Sequence, residues 1–231
     1  MTAKKHIPKH VGIILDGNRR WAKRNGITSF EGHKRGAEVF KEVSVAAFEQ
    51  GIKYLSAYVF SAENWQRTED EVSYLMNLIV KGVEKYLDEF NNKGIKLVIL
   101  GCRDKLNAAV LKSIGRTEQK TKNNKNGTLA ICLNYGGHQE IVDAVNKFFT
   151  NNPDKNTISV EDLEQNLYSP YIPPVDLLIR TSNEQRISGF MLWRIAYAEF
   201  VFSEKLWPDF SEDDLIKALQ EYKNRQRRFG V

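Results

Sequence analysis

Short apolar runs alternate along this chain with longer stretches in which apolar residues recur at helical spacing. The first run, residues 11–15, predicts a buried strand that the turn pair Asp16-Gly17 ends. Later apolar runs predict further strands at residues 53–60, 95–100, 129–133, 175–179 and 198–202. The chain therefore carries six candidate strands, each followed by polar residues.

The stretches between these strands carry apolar residues on one helical face. They are residues 36–50, 72–87, 107–120 and 139–149, with a last helix starting at Ser211. Strands that alternate with helices are typical of a mostly parallel sheet covered by helices on both faces. We therefore expect an α/β fold with a six-stranded central sheet, and a single domain over residues 1–231. In such sheets, ligands bind beyond the carboxyl ends of the strands.

The composition is that of a folded protein with a mild excess of positive charge. Hydrophobic residues make up 42% of the 231 residues and charged residues 27%, which excludes a disordered chain. The 34 Lys and Arg residues against 29 Asp and Glu give a formal charge of +5. This excess suits an anionic ligand or an anionic membrane surface and is weak evidence for nucleic acid.

Three further observations concern location and metals. No apolar run is long enough to span a bilayer, and residues 1–10 lack the apolar core of a secretory signal. The two cysteines have no C-x-x-C spacing. We therefore expect a cytoplasmic protein without a zinc site or a disulfide framework.

Polar, cationic and glycine residues follow four of the predicted strands. The segments are DGNRRW at residues 16–21, SAENWQR at 61–67, NYGGH at 134–138 and RTSNEQRIS at 180–188. Backbone N–H groups at helix starts and arginine side chains bind phosphate oxygens, so these segments predict a polyanion site. Asp16 is the exception, because a carboxylate among phosphate-binding arginines usually holds a divalent cation such as Mg²⁺.

Three familiar fingerprints are absent from the sequence. The chain has no G-x-x-x-x-G-K-[ST] segment, no G-x-G-x-x-G after its first strand and no D-D-x-x-D. The first two absences disfavour a nucleotide hydrolase and a dinucleotide-dependent dehydrogenase. The third disfavours an all-helical prenyltransferase.

Several segments, in order along nearly the whole chain, resemble those of the cis-prenyltransferase family. They are DGNRRWAK (16–23), EGHKRGAE (31–38), FSAENWQR (60–67), NYGG (134–137), RTSNEQRIS (180–188), YAEFVF (197–202) and LWPDF (206–210). Any one of them is a weak signal, but the ordered set is specific. The chain is most similar to bacterial undecaprenyl diphosphate synthases, also called isoprenyl transferases.

The resemblance implies a Mg²⁺-dependent, homodimeric enzyme with an apolar product tunnel. The family condenses isopentenyl diphosphate with an allylic diphosphate, usually farnesyl diphosphate, and adds units in the Z configuration. The expected product is a long polyprenyl diphosphate, undecaprenyl diphosphate, for cell-wall synthesis. Such a product implies association with the inner face of the membrane and no nucleic-acid partner. The helical stretch at residues 72–87 is the candidate tunnel wall.

The family's functional residues match individual positions of this chain. Asp16 and Asn64 match the family's catalytic residues. The resemblance implies that Asp16 acts on the allylic diphosphate and its Mg²⁺. It implies that Asn64 lies near the proton lost from isopentenyl diphosphate. Asp16 and Glu199 match metal-binding residues, and residues 228–230 match an R-x-G that reaches the partner's site. The substrate-binding positions match Gly17, Asn18, Arg19, Arg20, Trp21, His33, Ser61, Glu63, Trp65, Arg67, Arg180, Arg186 and Ser188.

Some positions depart from the family pattern, namely Ser29, Val59, His138, Asn183 and Gly189. Ser29 replaces an arginine that commonly touches the allylic diphosphate, and Val59 replaces a small alanine beside the tunnel. These two departures favour a runner-up interpretation, a short-chain or irregular cis-prenyl diphosphate synthase.

Two hypotheses from other classes remain. The first is a non-catalytic subunit that stabilises an active homologue, against which the intact Asp16, Asn64 and Arg186 argue. The second is a nucleic-acid-binding module, which lacks the expected stripe of aromatic and basic residues.

Overall fold

The computed structural model describes residues 7–225, and these form one sheet with helices on both faces. The strands are β1 (His10–Ile14), β2 (Tyr54–Ser61), β3 (Ile95–Leu100), β4 (Gly127–Tyr135), β5 (Leu177–Arg180) and β6 (Glu199–Phe202). The helices are α1 (Asn18–Arg24), α2 (Ser29–Glu49), α3 (Glu69–Asn92), α4 (Ala108–Thr121), α5 (Gly137–Asn151), α6 (Val160–Asn166) and α7 (Glu212–Asn224). Two 3₁₀ turns lie at Ala62–Gln66 and Trp207–Asp209.

The sheet order is β3-β4-β2-β1-β5-β6, and every neighbouring pair of strands runs parallel. The predicted six-stranded α/β fold is confirmed, with a sheet that is wholly rather than mostly parallel. The chain moves from β1 to β2 on one side and reaches β5 on the other. The carboxyl ends of β1, β2 and β5 therefore form a crevice, the usual ligand position in such sheets.

Both faces of the sheet are buried, as a wholly parallel sheet requires. All of β4 is buried. One core packs the sheet against α2, α3, α4 and α7, and a second core lies on the other face around Ile172, Phe190 and Met191. Within residues 7–225, no helix is both long and apolar enough to cross a bilayer.

The structure differs from the sequence prediction at the start of α2, in two short helices and in the stretch 121–126. Helix α2 begins at Ser29 rather than at residue 36, because Thr28 and Glu31 form a capping box in which the Thr28 N–H donates to Glu31 Oε2 at 2.9 Å. Helices α1 and α6 were not predicted. The polar stretch 121–126 is not wholly a surface loop, since Thr121 is fully buried and its Oγ1 accepts the Leu97 N–H at 3.0 Å.

Candidate active site

Asp16 lies in the crevice at the carboxyl end of β1, and its backbone is fixed from two sides. Its N–H donates to Thr181 Oγ1 at 3.0 Å, and the Thr181 hydroxyl donates to the Asp16 carbonyl oxygen at 2.7 Å. The Trp207 N–H donates to the same carbonyl oxygen at 2.9 Å. These bonds join β1 to the segment after β5, and they leave the Asp16 carboxylate directed into the crevice.

The Asp16 carboxylate accepts hydrogen bonds from two arginines. Arg180 Nη2 donates to Oδ2 at 2.8 Å, and Arg20 Nη2 donates to Oδ1 at 3.1 Å. Arg180 also donates through Nη1 to Ser188 Oγ at 2.9 Å and to the Arg186 carbonyl oxygen. Its Nε is buried and has no hydrogen-bond partner. An arginine with a buried unused N–H group can bind an anion at little further desolvation cost.

Glu184 extends this cluster along the mouth of the crevice. Its carboxylate accepts from Arg20 Nη1 at 2.9 Å and forms an ion pair with Arg186. The pKa of Glu184 is held below its ordinary value, chiefly by the hydrogen bond from Arg186. Sequence reasoning missed Glu184 as a site residue, although it lies inside the segment 180–188.

The segment between Arg180 and β6 turns sharply to bring Ser188 to the cluster. Positive φ angles occur at Ser182 (80°), Asn183 (55°), Ser188 (47°) and Gly189 (72°). Asn is among the residues that adopt this left-handed conformation most readily after glycine. The asparagine that replaces a family glycine at position 183 is therefore compatible with the turn.

A second cluster centres on Glu71, in the first turn of α3. Glu71 Oε1 lies 2.8 Å from Arg67 Nη1, 3.6 Å from His33 Nε2 and 3.9 Å from Arg19 Nε. Three predicted substrate-binding side chains thus converge on one carboxylate oxygen. Sequence reasoning missed Glu71, and the available signal was its spacing of four residues from Arg67, just before the predicted helix at residues 72–87.

His33 is neutral at pH 7 in this environment. Burial lowers the pKa of His33 to about 4, and the Arg67 guanidinium adds to this effect. Its Nε2 is buried and has no hydrogen-bond partner. His33 can therefore offer a donor or an acceptor to a ligand, depending on its tautomer.

The loop after β2 places Asn64 beside the crevice. Asn64 Oδ1 accepts the Ser61 N–H at 3.1 Å, which closes the 3₁₀ turn that follows. Trp65 Nε1 donates to Asn134 Oδ1 at 2.7 Å, and the Trp65 ring packs on Phe60. These contacts hold the loop against β4 with Asn64 at the mouth.

Helix α1 starts at the same edge of the sheet and packs closely on α2. Gly17 is its N-cap, with φ 113°, a conformation that glycine permits. A Cβ on Gly36 would lie 2.1 Å from Asn18 Oδ1, so only glycine accommodates Asn18 here. The buried Asn18 Oδ1 has no hydrogen-bond partner, and this leaves an acceptor available at the start of the helix.

A cavity of about 560 Å³ opens beside these clusters. Polar residues line its mouth: Asp16, Asn18, His33, Ser61, Glu63, Asn64, Arg67, Arg180 and Ser188. Mostly apolar residues from α2, α3 and the sheet line the rest, with Lys41 of α2 among them; the apolar ones include Phe40, Leu75, Ile79, Val83, Tyr86, Phe90, Leu97, Leu129 and Ile131. Val59 also lines it. The arrangement joins an anion-binding mouth to an apolar interior.

Two predicted substrate residues face elsewhere. Trp21 Nε1 donates to Asp209 Oδ1 at 2.6 Å, which ties α1 to the 3₁₀ turn at residues 207–209. Trp65 is held by Asn134, as described above. Neither indole lines the cavity, and both hold neighbouring segments in place. Arg19, Arg20 and Arg186 reach the mouth through their ion pairs with Glu71 and with Glu184.

Glu199 does not meet Asp16 within one chain. It pairs with Leu177 in the sheet register, three positions before the pairing of Arg180 with Phe202, which places it about 10 Å along the strand from the crevice. Its carboxylate accepts from Arg225 Nη1 at 3.0 Å. Residues 7–225 contain no cluster of three metal-ligating side chains. The predicted segment 228–230 lies outside the described residues.

Comparisons with known proteins agree with this geometry. Residues 14–230 match the family model described as "Putative undecaprenyl diphosphate synthase". An isoprenyl transferase of Thermotoga maritima is 44% identical over 97% of both chains. A nerylneryl diphosphate synthase of Solanum lycopersicum is 43% identical over 97% of this chain and 71% of its own length.

A solved structure is similar over almost its whole length. Lavandulyl diphosphate synthase from Lavandula x intermedia, in complex with dimethylallyl diphosphate, has a TM-score of 0.93 and 34% identity, covering 97% of this chain and 99% of that one. The matches in sequence and in structure cover the crevice, the cavity and the sheet together. The chain is therefore a prenyltransferase and belongs to the undecaprenyl diphosphate synthase family of cis-prenyltransferases.

Proposed function

We propose that this protein elongates farnesyl diphosphate with isopentenyl diphosphate, in a Mg²⁺-dependent reaction, to a long Z-polyprenyl diphosphate such as undecaprenyl diphosphate. One observation carries the proposal. The buried Arg180 holds Asp16 and Ser188, has an unused Nε, and lies at the mouth of a cavity whose interior is apolar. A diphosphate at the mouth and a hydrocarbon chain in the interior fit these two environments.

The incoming isopentenyl diphosphate is assigned to Arg180, Arg186 and Ser188. Arg180 is preorganised by its bonds to Asp16 and Ser188, so little side-chain freedom is lost when it binds an anion. Arg186 is exposed and forms an ion pair with Glu184. A bound diphosphate can replace Glu184 as the partner of Arg186. The Ser188 hydroxyl supplies a further donor.

The allylic diphosphate is assigned to the start of α1 and its surroundings. Backbone N–H groups at a helix start favour anions, and Arg19 and Arg20 extend from the same turn. Neutral His33 has an unused ring nitrogen at the same side of the cavity. Charge on the leaving diphosphate is stabilised by donors that are already in place, which lowers the barrier to breaking the C–O bond.

The residues at the mouth fit a Mg²⁺ ion shared with diphosphate oxygens. The mouth holds five arginines, at positions 19, 20, 67, 180 and 186, and four carboxylates, those of Asp16, Glu63, Glu71 and Glu184. Two diphosphates bring more negative charge than this excess neutralises. Mg²⁺ typically uses one or two carboxylates with substrate phosphates, and the partly exposed Asp16 carboxylate can supply one. Bound Mg²⁺ would withdraw charge from the leaving diphosphate.

Asn64 is assigned a position beside the proton that isopentenyl diphosphate loses. Ser61 and Arg67 are assigned to closure of the loop over both substrates. Asn64 lines the cavity mouth beside Ser61 and Arg67, which supports this assignment. The apolar walls exclude water from the carbocation-like centre, which prevents its hydrolysis.

Assembly and location belong to the same proposal. We assign a homodimer contact to the edge strand β6, where Phe202 and the nearby Tyr197 are exposed large hydrophobic residues. Glu199, near this edge, would then act in Mg²⁺ binding only through a partner chain. A long apolar product favours association of the protein with the inner face of the cytoplasmic membrane.

A short-chain product is the second candidate function. Val59, the position of a small alanine in the family, lines the cavity, and two similar proteins are named as nerylneryl and lavandulyl diphosphate synthases. The second candidate is a short-chain or irregular cis-prenyl diphosphate synthase, and the chain length of its product distinguishes it from the first.

One assay tests the proposal. Purified protein is incubated with farnesyl diphosphate, labelled isopentenyl diphosphate and Mg²⁺, beside Asp16→Ala, and products are resolved by chain length. A long ladder that disappears without Mg²⁺ or in the variant supports the long-chain synthase. Short products select the second candidate. No product from farnesyl, geranyl or dimethylallyl primers contradicts both candidates and favours the partner-subunit hypothesis.

A further inference from the structure

The positive charge of this chain is concentrated in one segment. Residues 81–125 contain 11 Lys and Arg residues against 5 Asp and Glu residues, a formal charge of +6. The whole chain has 34 and 29, so the rest carries 23 against 24, a formal charge of −1. The entire excess of +5 therefore lies in the second half of α3, in α4 and in the loops around β3.

Helix α4 presents much of this charge to solvent. Lys112, Arg116 and Lys120 recur every four residues on its outward side, and all three are exposed. Lys122 and Lys125 follow the end of the helix and are also exposed. Like charges four residues apart disfavour a helix, so this row opposes the stability of α4. A role in binding would account for it.

The outward side of α4 carries no carboxylate. Glu118 is the only acidic residue of the helix, and it is turned toward the sheet, where it accepts the Ile99 N–H at 2.9 Å and lies 3.4 Å from Arg103. Among the outward cations, Lys120 alone forms a contact ion pair within residues 7–225, with Asp88 of α3. The other outward cations are available to an anionic partner.

Two uncharged residues suit this side of α4 to a flat partner. Leu111 is 39% exposed beside the cations. Gly115 follows one turn later, is exposed, and has no atom within 4 Å of the position that a Cβ would take. Glycine inside a helix disfavours the helix, but it lets a surface approach the backbone closely. A partner can therefore contact the cations and bury Leu111 at the same time.

The position of α4 in the fold is fixed. The helix covers the free edge of β3, where the Leu97 N–H donates to Thr121 Oγ1 at 3.0 Å and the Ile99 N–H donates to Glu118. The proposed homodimer contact lies at β6, the opposite edge of the sheet, and leaves α4 open. No residue of α4 lines the cavity, so a partner can bind there without blocking substrates.

From this charge, exposure and position we infer that the outward side of α4, together with residues 122–125, docks the protein on a bilayer surface that contains anionic lipids. The negative potential of such a surface attracts Lys and Arg side chains, and an exposed Leu can enter the headgroup region. The choice of a membrane rests on the proposed function, because a long apolar product needs a bilayer. Residues 108–125 contain no aromatic side chain on which a nucleic-acid base could stack.

The test measures how much protein sediments with vesicles of phosphatidylcholine, with or without one-third phosphatidylglycerol, in about 0.1 M salt. The first variant removes three outward cations and is Lys112→Gln/Arg116→Gln/Lys122→Gln. We expect it to bind anionic vesicles roughly 100-fold more weakly than the parent, at about fivefold for each cation. In about 1 M salt the parent should lose this binding, because salt screens exposed charges.

A matched control loses the same charge from exposed positions outside the segment, namely Lys147→Gln/Lys155→Gln/Lys217→Gln. Its affinity for anionic vesicles should fall by less than about threefold, since cations more than a Debye length from the lipid contribute little. Both triple variants should leave the rate of condensation in vesicle-free buffer unchanged.

A second pair of variants changes one position at the centre of the docking side. Gly115→Glu adds a carboxylate and Gly115→Gln adds a neutral side chain of the same size, and the Cβ of either meets no atom. Both favour the helix over glycine. We expect Gly115→Glu to bind anionic vesicles at least about fivefold more weakly than Gly115→Gln. Circular dichroism establishes the folding of every variant, and this pair carries the test if the first variant does not fold.

The proposed function and this inference fail in different ways, because vesicle binding needs no substrate. A parent that makes no product overturns the proposed function, while weaker binding of the first variant than of its control would still support docking through α4. A parent that elongates but binds neutral and anionic vesicles equally overturns the inference alone, as does a first variant that binds as tightly as its control. Tighter binding of the parent to a DNA duplex than to anionic vesicles in the same salt would overturn the choice of a membrane.

Discussion

Two arginine–carboxylate pairs have nearly the same N–O distance and opposite surroundings. Arg194 Nη1 lies 2.6 Å from Glu140 Oε1, and Arg180 Nη2 lies 2.8 Å from Asp16 Oδ2. The first pair is enclosed, with 3% and 1% of the two side chains exposed. In the second pair Arg180 is 5% exposed, but Asp16 is 27% exposed.

The hydrogen bonds of the two pairs differ more than their distances. Arg194 also donates to the carbonyl oxygens of Tyr168 and Ile172, and Glu140 also accepts from the Tyr135 hydroxyl and the Tyr168 N–H. Every group of that pair has a partner. Arg180 keeps a buried Nε without one. A buried pair with all groups satisfied holds the fold together, whereas a pair with an unused donor and an exposed acceptor is prepared for a ligand.

The two buried histidines repeat the contrast. Burial lowers the pKa of His10 to about 4, and the pKa of His33 is lowered to about the same value. Both ring nitrogens of His10 have partners, the Pro173 carbonyl oxygen at 2.7 Å and Ser56 Oγ at 2.8 Å. His33 Nε2 has none. A lowered pKa alone therefore does not distinguish a structural histidine from one in a site, and the unused nitrogen does.

The largest expected effect is on stability, at the enclosed pair. Arg194→Met leaves the Glu140 carboxylate buried without its cation, which costs about 3 to 5 kcal/mol of the free energy of unfolding. Arg180→Met should cost about 1 kcal/mol or less, because Asp16 keeps Arg20 and contact with solvent. Urea unfolding monitored by circular dichroism measures both.

The double variant Arg194→Met/Glu140→Leu is the control for this prediction. Removing both charges should recover much of the loss, since the unpaired carboxylate is the cause. Equal destabilisation by Arg194→Met and Arg180→Met would remove the distinction between the two pairs.

The second effect is on turnover, at the open pair. Arg180→Met removes donors that face developing negative charge, and we expect the rate of condensation to fall by about 10² to 10³-fold. Incorporation of labelled isopentenyl diphosphate measures the rate. Arg103→Met is a matched control, because Arg103 pairs with Glu118 at 3.4 Å and donates to the Ile99 carbonyl oxygen away from the cavity. A similar loss in both variants would contradict the assignment.

Part of this contrast could be anticipated from the sequence. The strands were predicted within a few residues, because parallel strands buried on both faces are nearly continuous apolar runs. Helix α1 was missed since it buries only Ala22 and so carries no apolar stripe. Helix α6 buries only Leu163, yet its capping box, Ser159 with Asp162, was readable.

The sequence predicts where the candidate site residues lie, but not which residues they pair with. Asp16, Arg180 and Ser188 follow strands, and parallel topology brings strand ends together. The partnership of Glu71 with Arg19 joins α1 to α3, which no local pattern records. For Glu199 the sequence did indicate the position. The predicted strand at residues 198–202 places Glu199 near the amino end of that strand, away from the crevice at the carboxyl ends.

The third prediction separates the two histidines by titration. NMR of the histidine ring protons should give both pKa values near 4. Inorganic pyrophosphate should raise the pKa of His33 by about one unit, because a nearby anion favours the imidazolium form, and should leave His10 unchanged. A shift of both, or of neither, would contradict an anion site beside His33.

The same lowered pKa values give stability a pH dependence of known sign. Well above pH 6.5, both histidines are neutral in the folded and the unfolded chain. Between pH 6.5 and 4 the unfolded chain binds protons that the folded chain does not, so the free energy of unfolding falls as the pH falls. His10→Asn should reduce this slope by up to about 1.4 kcal/mol per pH unit, as urea unfolding at several pH values can measure.

The smallest effect tests whether an unused polar group is by itself a mark of function. Ser44 of α2 is fully buried and its Oγ has no hydrogen-bond partner, yet it does not line the cavity. Ser44→Ala removes an unsatisfied hydroxyl and favours the helix, so it should stabilise the protein by about 1 kcal/mol and leave the rate of condensation unchanged. Thermal unfolding and the incorporation assay measure the two quantities. A loss of activity would show that unused buried groups outside the cavity also take part. Unchanged activity would show that a buried polar group without a hydrogen-bond partner indicates function only where it also has access to the crevice, as in Arg180 and His33.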